Sequence, residues 1–178
     1  MFGVSLDSGI TTTNRQIGRQ SRHGQLPAIG HLEEAINAAK CRNPELQIKL
    51  NTVVNRLNCH EDLSPLIRRF APQRWKVLRM LPFVTKQLMI SDAEFQGFVA
   101  RHRALGDLMC VEDNAEMVGS YVMIDPLGRF FQNALGQSSY RYSRPIPEVG
   151  VDHAFVAVGM DPAKFCARYL GPLEKASA

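Results

Sequence analysis

The sequence lacks any closely spaced pair of cysteines: Cys41, Cys59, Cys110 and Cys166 stand 18, 51 and 56 positions apart. That spacing excludes the short loops that hold zinc or an iron–sulfur cluster. Each thiol is expected to be a small buried hydrophobe in a reducing compartment. His23, His31, His60, His102 and His153 form no i, i+3 or i, i+4 pair, so no metal site is expected from this chain alone. No apolar run approaches the ~18 residues needed to cross a bilayer. Phe2 to Asp7, directly after Met1, lacks the cationic start and apolar stretch of a secretory signal. A soluble, cytoplasmic protein with no membrane partner is expected. Charge of one sign is not massed either: 21 Lys+Arg and 17 Asp+Glu, a net charge of +4, are spread along the chain. This favours a local anionic ligand over nucleic acid. A Gly-rich phosphate loop of Walker type, a Gly-x-Ser-x-Gly elbow and a carboxylate pair spaced for acid–base work are all missing. A hydrolase has no support, and no catalytic residue can be nominated.

What is present is a globular composition over 178 residues, long enough for one core. Phe2 to Asp7 alternates as a strand, with Phe2, Val4 and Leu6 on one face. A polar loop is expected from Ser8 to about Gln25, then a helix near Pro27 to Lys40 with Ile29, Leu32, Ile36 and Ala39 on its apolar face. Gln47 to Asn55 reads as a second strand, setting Ile48, Leu50, Thr52 and Val54 against Lys49, Asn51, Val53 and Asn55. Ser64 as N-cap with Pro65 in the first turn opens a short helix anchored by Leu66, Ile67 and Phe70. Arg74 to Leu81 is the third strand. The Ser91–Glu94 capping box opens a helix to about His102. Three strand–helix units in order predict an α/β fold with a parallel sheet and right-handed crossovers. Beyond them, Gly119 to Ile124 and Arg129 to Gln132 flank Asp125-Pro126-Leu127-Gly128 as a hairpin or extended turn. The last third loses regular pattern until a short helix near Pro162 to Tyr169, and the Ala/Ser/Gly end should fray.

Lys49 and Asn51 sit two apart on the second strand, so both leave the same face, about 7 Å from each other. Arg74 and Lys76 repeat the arrangement on the third. If the strands are neighbours, three cations and an amide converge as a polyphosphate site, where Arg supplies a planar fork and Lys a point charge. The other reading keeps them as solvent-facing residues that block sheet extension. On the first strand Ser5 and Asp7 share a face. Arg19, after Gly18, either holds a carboxylate or is a solvated loop residue. Asp125 is most simply a turn residue, and Tyr121 a core residue of a half-apolar strand.

Taken in order, several strings resemble the viperin family of radical S-adenosylmethionine enzymes. They are Val4-Ser5-Leu6-Asp7-Ser8, Ile17-Gly18-Arg19, Ile48 to Asn58 and Arg74-Trp75-Lys76-Val77. Downstream come Ser91 to Phe95, Arg101-His102, Glu112-Asp113-Asn114, Gly119 to Pro126 and Val149-Gly150-Val151. The similarity runs over roughly residues 3 to 165. It implies the carboxy-terminal half of a partial (βα)6 barrel: about three βα units, a hairpin and a tail. The chain would be one incomplete domain over residues 1–178, with the units in about 1–105 and an extension in 106–178.

By the same matching, Ser5 and Arg19 look like contacts to S-adenosylmethionine, and Lys49, Asn51, Arg74, Lys76 and Tyr121 like contacts to a nucleoside triphosphate. The resemblance implies a lyase that uses a 4Fe-4S iron–sulfur cluster and S-adenosylmethionine. Such an enzyme converts a CTP-like nucleotide to its 3′-deoxy-3′,4′-didehydro form in antiviral defence. The family's C-x-x-x-C-x-x-C loop should precede Phe2 and does not occur here, so the chain is not expected to be active alone. A start codon placed too late, a decayed gene, and a split enzyme with a separate amino-terminal half all stay open. So does self-association through an exposed strand edge. The tail, Leu173-Glu174-Lys175 to Ala178, lacks the aromatic end often found in the family. A non-catalytic nucleotide-binding module and an inert fragment are the alternatives to an enzyme part.

Overall fold

Strict alternation builds the first sheet. Phe2–Ser5 forms β1, Ile48–Val54 β2, Arg74–Arg79 β3 and Met109–Glu112 β4. Along β2, Ile48, Leu50, Thr52 and Val54 are buried while Lys49, Asn51 and Val53 stay half-exposed, the period of two that a strand with one dry face requires. All neighbouring pairs are parallel and the order is β1-β2-β3-β4.

The crossovers carry helices α1 (Thr11–Ile17), α2 (Ile29–Arg42), α3 (Ser64–Phe70) and α4 (Asp92–Arg101). Sequential parallel strands joined by right-handed crossovers put their crossover helices on one face of the sheet, and α2, α3 and α4 supply core residues there. The core agrees: Ile36, Ile67, Phe70, Phe95 and Phe98 pack against Leu50, Val54, Trp75 and Val77. Trp75 is fully buried, and its Nε1–H donates to Thr52 Oγ1 at 2.9 Å. Thr52 in turn donates to the Leu6 carbonyl at 2.6 Å, tying β1, β2 and β3 together beneath the helices.

The computed structural model describes residues 1–26, 28–82, 86–134 and 140–169, and the chain divides into two units, Met1–Glu112 and Asp113–Ala178. The second unit opens with α5 (Asn114–Met117). It then builds an antiparallel sheet of β5 (Met123–Ile124), β6 (Arg129–Asn133) and β7 (Tyr140–Pro145). After β7 come α6 (Ile146–Val149), α7 (Val151–Val158), which packs on β6 and β7, and α8 (Pro162–Tyr169). No helix among the described residues is long and apolar enough to cross a membrane.

The expected α/β class with a parallel sheet is present, and the capping box is complete: Ser91 Oγ accepts from the Glu94 amide, and the Glu94 carboxylate accepts from the Ser91 amide. Several expectations need correction. The polar stretch from Ser8 to Gln25 contains α1, which has no apolar stripe to reveal it. The helix after β2 starts at Ser64 itself, behind Leu63, and Asp62 Oδ1 accepts from the Ser64 amide. A fourth parallel strand, β4, follows the three expected. The strand proposed for Gly119 to Ile124 is reduced to Met123–Ile124, while β7, α6 and α7 occupy the region expected to be irregular. Cys41 and Cys166 are exposed rather than buried. Pro27, the expected helix start, and the tail from residue 170 lie outside the described residues.

Candidate functional site

The face of the parallel sheet opposite the helices is polar, and strand register decides what stands beside what. Ser5 pairs with Asn51, Asn51 with Lys76, and Lys76 with Cys110. With strands about 4.8 Å apart, these four side chains form one row roughly 14 Å long across the sheet. One step toward the amino ends, Gly3 pairs with Lys49 and Lys49 with Arg74. A methyl group built on Gly3 would lie 3.6 Å from Lys49 Cε and 3.7 Å from Asn51 Nδ2. The Lys49 and Asn51 side chains therefore lean over β1, where the small Gly3 and Ser5 leave them room. Lys49, Asn51, Arg74 and Lys76 are thus brought together on one face, as their spacing suggested.

The polar face has two further residues, Cys110 and Glu112, that the sequence reading did not place there. Lys76 Nζ lies 2.6 Å from Glu112 Oε1, and both side chains are largely buried. Arg74 Nη2 donates to Cys110 Sγ at 3.0 Å, a bond that raises the guanidinium pKa and keeps Arg74 cationic. The missed signal was Met109-Cys110-Val111-Glu112, whose alternation is that of a short strand with Cys110 and Glu112 on the polar side. The two ends of the row differ in consequence. Lys76 and Arg74 already have protein partners, whereas Lys49 and Asn51 have no side-chain hydrogen bond among the described residues. Among the described residues of this face, Lys49, Arg74 and Lys76 meet one carboxylate, Glu112, and such a surface attracts a multiply charged anion.

At the carboxyl end of β1 the chain builds a second feature. Asp7 is buried, and its Oδ1 accepts from the Val53 amide at 2.8 Å. Its Oδ2 is ion-paired with Arg19 Nε. Gly18 makes this possible by closing α1 in the left-handed region at φ 87°, a conformation only glycine adopts freely. The Asn58 side-chain amide donates to the Asp7 carbonyl at 2.7 Å and to the Val53 carbonyl at 3.0 Å, fixing the turn beside it. Arg19 is anchored through Nε and half-exposed, and its Nη groups have no hydrogen bond among the described residues. An arginine so oriented fits a carboxylate. Ser5 is exposed one residue before Leu6 on the polar row. Tyr121 belongs to the second unit, half-buried just ahead of β5. Asp125 is the turn residue expected: its Oδ1 accepts from the Leu127 and Arg129 amides and its Oδ2 from the Arg129 guanidinium.

The cluster that the resemblance implies is held by three closely spaced thiolates, and the described residues do not fit one. Cys59 is buried, Cys110 half-buried on β4, and Cys41 and Cys166 exposed elsewhere. The single gathering of possible metal ligands among the described residues is Cys59, His60 and Glu94.

No protein-family model matches the chain. Curated proteins do. Over 170 residues the chain is 43% identical to the S-adenosylmethionine-dependent nucleotide dehydratase of Psychrobacter lutiphocae, an alignment covering 94% of this chain and 56% of that protein. It is 35% identical over 169 residues to the protein of the same name in Pseudoalteromonas ulvae, covering 95% and 55%. It is 31% identical over 179 residues to S-adenosylmethionine-dependent nucleotide dehydratase RSAD2 of Danio rerio, covering 94% and 48%. The chain spans about half the length of these relatives.

Proposed function

We propose, for a chain that belongs by sequence to the viperin-type S-adenosylmethionine-dependent nucleotide dehydratases and spans about half their length, that its polar sheet face binds the triphosphate of a nucleotide substrate. The observation that carries this reading is the in-register placement of Lys49, Asn51, Arg74 and Lys76 on the sheet face opposite the one that packs against Ile36, Ile67, Phe70, Phe95 and Phe98. Arg74 offers a fork that suits two phosphate oxygens, and Lys49 and Lys76 offer compact charges. Binding would draw Lys76 from Glu112 toward phosphate and engage Lys49. Asn51, between them, supplies amide donors to the same oxygens. Tyr121 is proposed, on the family resemblance, as a further nucleotide contact.

The sheet is proposed as part of a partial (βα)6 barrel whose interior is the polar face. Sequential strand order with helices on one side is the arrangement such a barrel repeats. S-adenosylmethionine, when bound, supplies the reactive adenosyl group. Arg19, held by Asp7, would take its carboxylate, and Ser5 would contact it from β1. The described cysteines do not suit a 4Fe-4S cluster, so the part proposed for this chain is binding and positioning. Turnover, proposed as conversion of a CTP-like nucleotide to a 3′-deoxy-3′,4′-didehydro product in antiviral defence, would need cluster-bearing residues in addition.

Calorimetric titration of the 178-residue chain with CTP tests the binding reading. Saturable heat is expected, weakened about tenfold or more by Arg74→Ala and by Lys76→Ala, since hydrogen bonds to charged groups contribute about 1.5–3 kcal/mol each. A folded sample that gives no heat, or whose affinity ignores both changes, overturns it. UTP and GTP as alternative titrants report on the base.

A further inference from the structure

We infer that Cys59, His60 and Glu94 form a binding site for a zinc-class divalent ion, apart from the polar sheet face. One ligand atom from each residue lies within 4.8 Å of the other two. Two of the three are already held in place. Cys59 closes the turn after β2: its amide donates to the Asn55 carbonyl at 2.9 Å, and Arg101 Nη1 donates to its carbonyl at 2.9 Å. The Asn58 side chain fixes the same turn by accepting from the Asn55 amide at 2.7 Å. Glu94 sits in the first turn of α4, where its Oε2 accepts from Ser91 N at 2.7 Å and from Ser91 Oγ at 2.8 Å. Such outer hydrogen bonds orient metal ligands and tune their affinity. His60 is exposed and can rotate toward the other two. Bonds of about 2.0–2.3 Å to a tetrahedral ion bring ligand atoms to roughly 3.3–3.8 Å from one another, so a closure of about 1 Å completes the site.

The donor set selects the ion. Thiolate, imidazole and carboxylate together suit zinc and its cobalt surrogate. They do not suit magnesium or calcium, which take oxygen ligands. Three protein ligands leave a fourth tetrahedral position for water or another donor. The thiolate and carboxylate neutralise the ion's charge. Hydrogen bonds from Ser91, followed by the nearby His60 and Arg56, hold the Glu94 carboxyl below its usual range and so keep it ionised. Burial, with Glu94 beside it, pushes the Cys59 thiol up.

Cobalt titration of the full 178-residue chain tests the site. One equivalent should bring up a thiolate-to-cobalt charge-transfer band, and zinc should displace it. Cys59→Ser should abolish the band. His60→Ala and Glu94→Gln should each weaken binding by more than about tenfold, a larger loss than removing an outer hydrogen bond. Glutamine preserves the capping box, so unchanged helicity in Glu94→Gln separates lost ligation from lost folding. No thiolate band in the folded chain overturns the proposal. So does the same band in Cys59→Ser, which would assign the cobalt to exposed Cys41 or Cys166, or wild-type affinity in both other variants.

Discussion

The two faces of the parallel sheet are made by the same strands, alternating residue by residue, yet they obey different rules. On the helix side each side chain is enclosed and its polar atoms are answered: Trp75 Nε1–H by Thr52, and Thr52 by the Leu6 carbonyl. On the opposite side, among the described residues, Lys49 and Asn51 have no side-chain hydrogen bond, while Lys76 is answered by Glu112 and Arg74 by Cys110. Packing explains every residue of the first face. It does not explain why three cations crowd the second, because a sheet face that only needed solubility would mix charges of both signs. The contrast supports the proposed reading of the polar face as a binding surface, with the apolar face as its support.

The largest effect expected from breaking this contrast is on stability. Trp75→Ala removes a fully buried ring that meets Phe98 edge-on at 6.1 Å and His102 at 5.0 Å. Large-to-small core changes of this kind cost about 3–5 kcal/mol, so the urea midpoint should collapse or the chain should fail to fold. Next in size is an effect on binding alone. Lys49→Ala, next to Leu50 on the strand but on the opposite face, should change stability by no more than about 0.5 kcal/mol. It should weaken triphosphate binding about tenfold or more. Equal losses of stability from the two changes would erase the distinction between the faces.

How far this contrast was legible in the sequence depended on how local each signal was. The periods of β2 and β3, the Ser91–Glu94 box and the pairing of Lys49 with Asn51 and Arg74 with Lys76 can be read within a few residues. Strand adjacency then turned two separate pairs into one cluster. The fourth strand was harder: Met109–Glu112 is four residues long, and Cys110 and Glu112 acquire meaning only when Lys76 and Arg74 are opposite them. α1 reads as loop because Thr11-Thr12-Thr13 favours turns and caps, and nothing apolar recurs at helical spacing. The Cys59–His60–Glu94 cluster joins residues across 35 positions, beyond any spacing rule. β7 was the avoidable miss, since Tyr140 and Tyr142 alternate with Arg141 and Ser143.

A smaller effect concerns pH, and it arises on the apolar side. His102 is fully buried; its Nδ1–H donates to the Phe98 carbonyl at 2.8 Å and its Nε2 accepts from the Leu63 amide at 2.9 Å. Burial lowers its pKa from 6.5, assisted by Arg101, while the Phe98 carbonyl and Asp62, 3.5 Å from Nε2, oppose the shift. Protonating Nε2 would set it against the Leu63 N–H. Because the folded-state pKa is depressed, the unfolded chain binds more protons below about pH 6.5. Stability should therefore be full above that pH and fall as pH drops toward the folded-state pKa, by at most about 1.4 kcal/mol per unit. Urea midpoints at pH 7.5 and 5.5 measure the slope, and His102→Gln should flatten it. A slope unchanged in that variant would assign it to other groups.

The smallest expected effect sharpens the polar side. Glu112 neutralises Lys76 and is itself nearly buried, so an arriving triphosphate competes with a carboxylate already in place. Glu112→Gln keeps the shape, leaves Lys76 without its anion, and removes a negative charge from beside the proposed phosphate position. At an effective dielectric of about 20, one unit charge several ångströms away is worth on the order of 1–2 kcal/mol after partial screening. Triphosphate binding should tighten by several-fold, and its salt dependence should become steeper because the cations meet the ligand without an internal competitor. The same substitution predicts weaker binding if Glu112 serves instead to hold Lys76 in its productive position. The sign of the change in calorimetric affinity therefore decides whether the carboxylate is a rival of the ligand or the brace of its receptor.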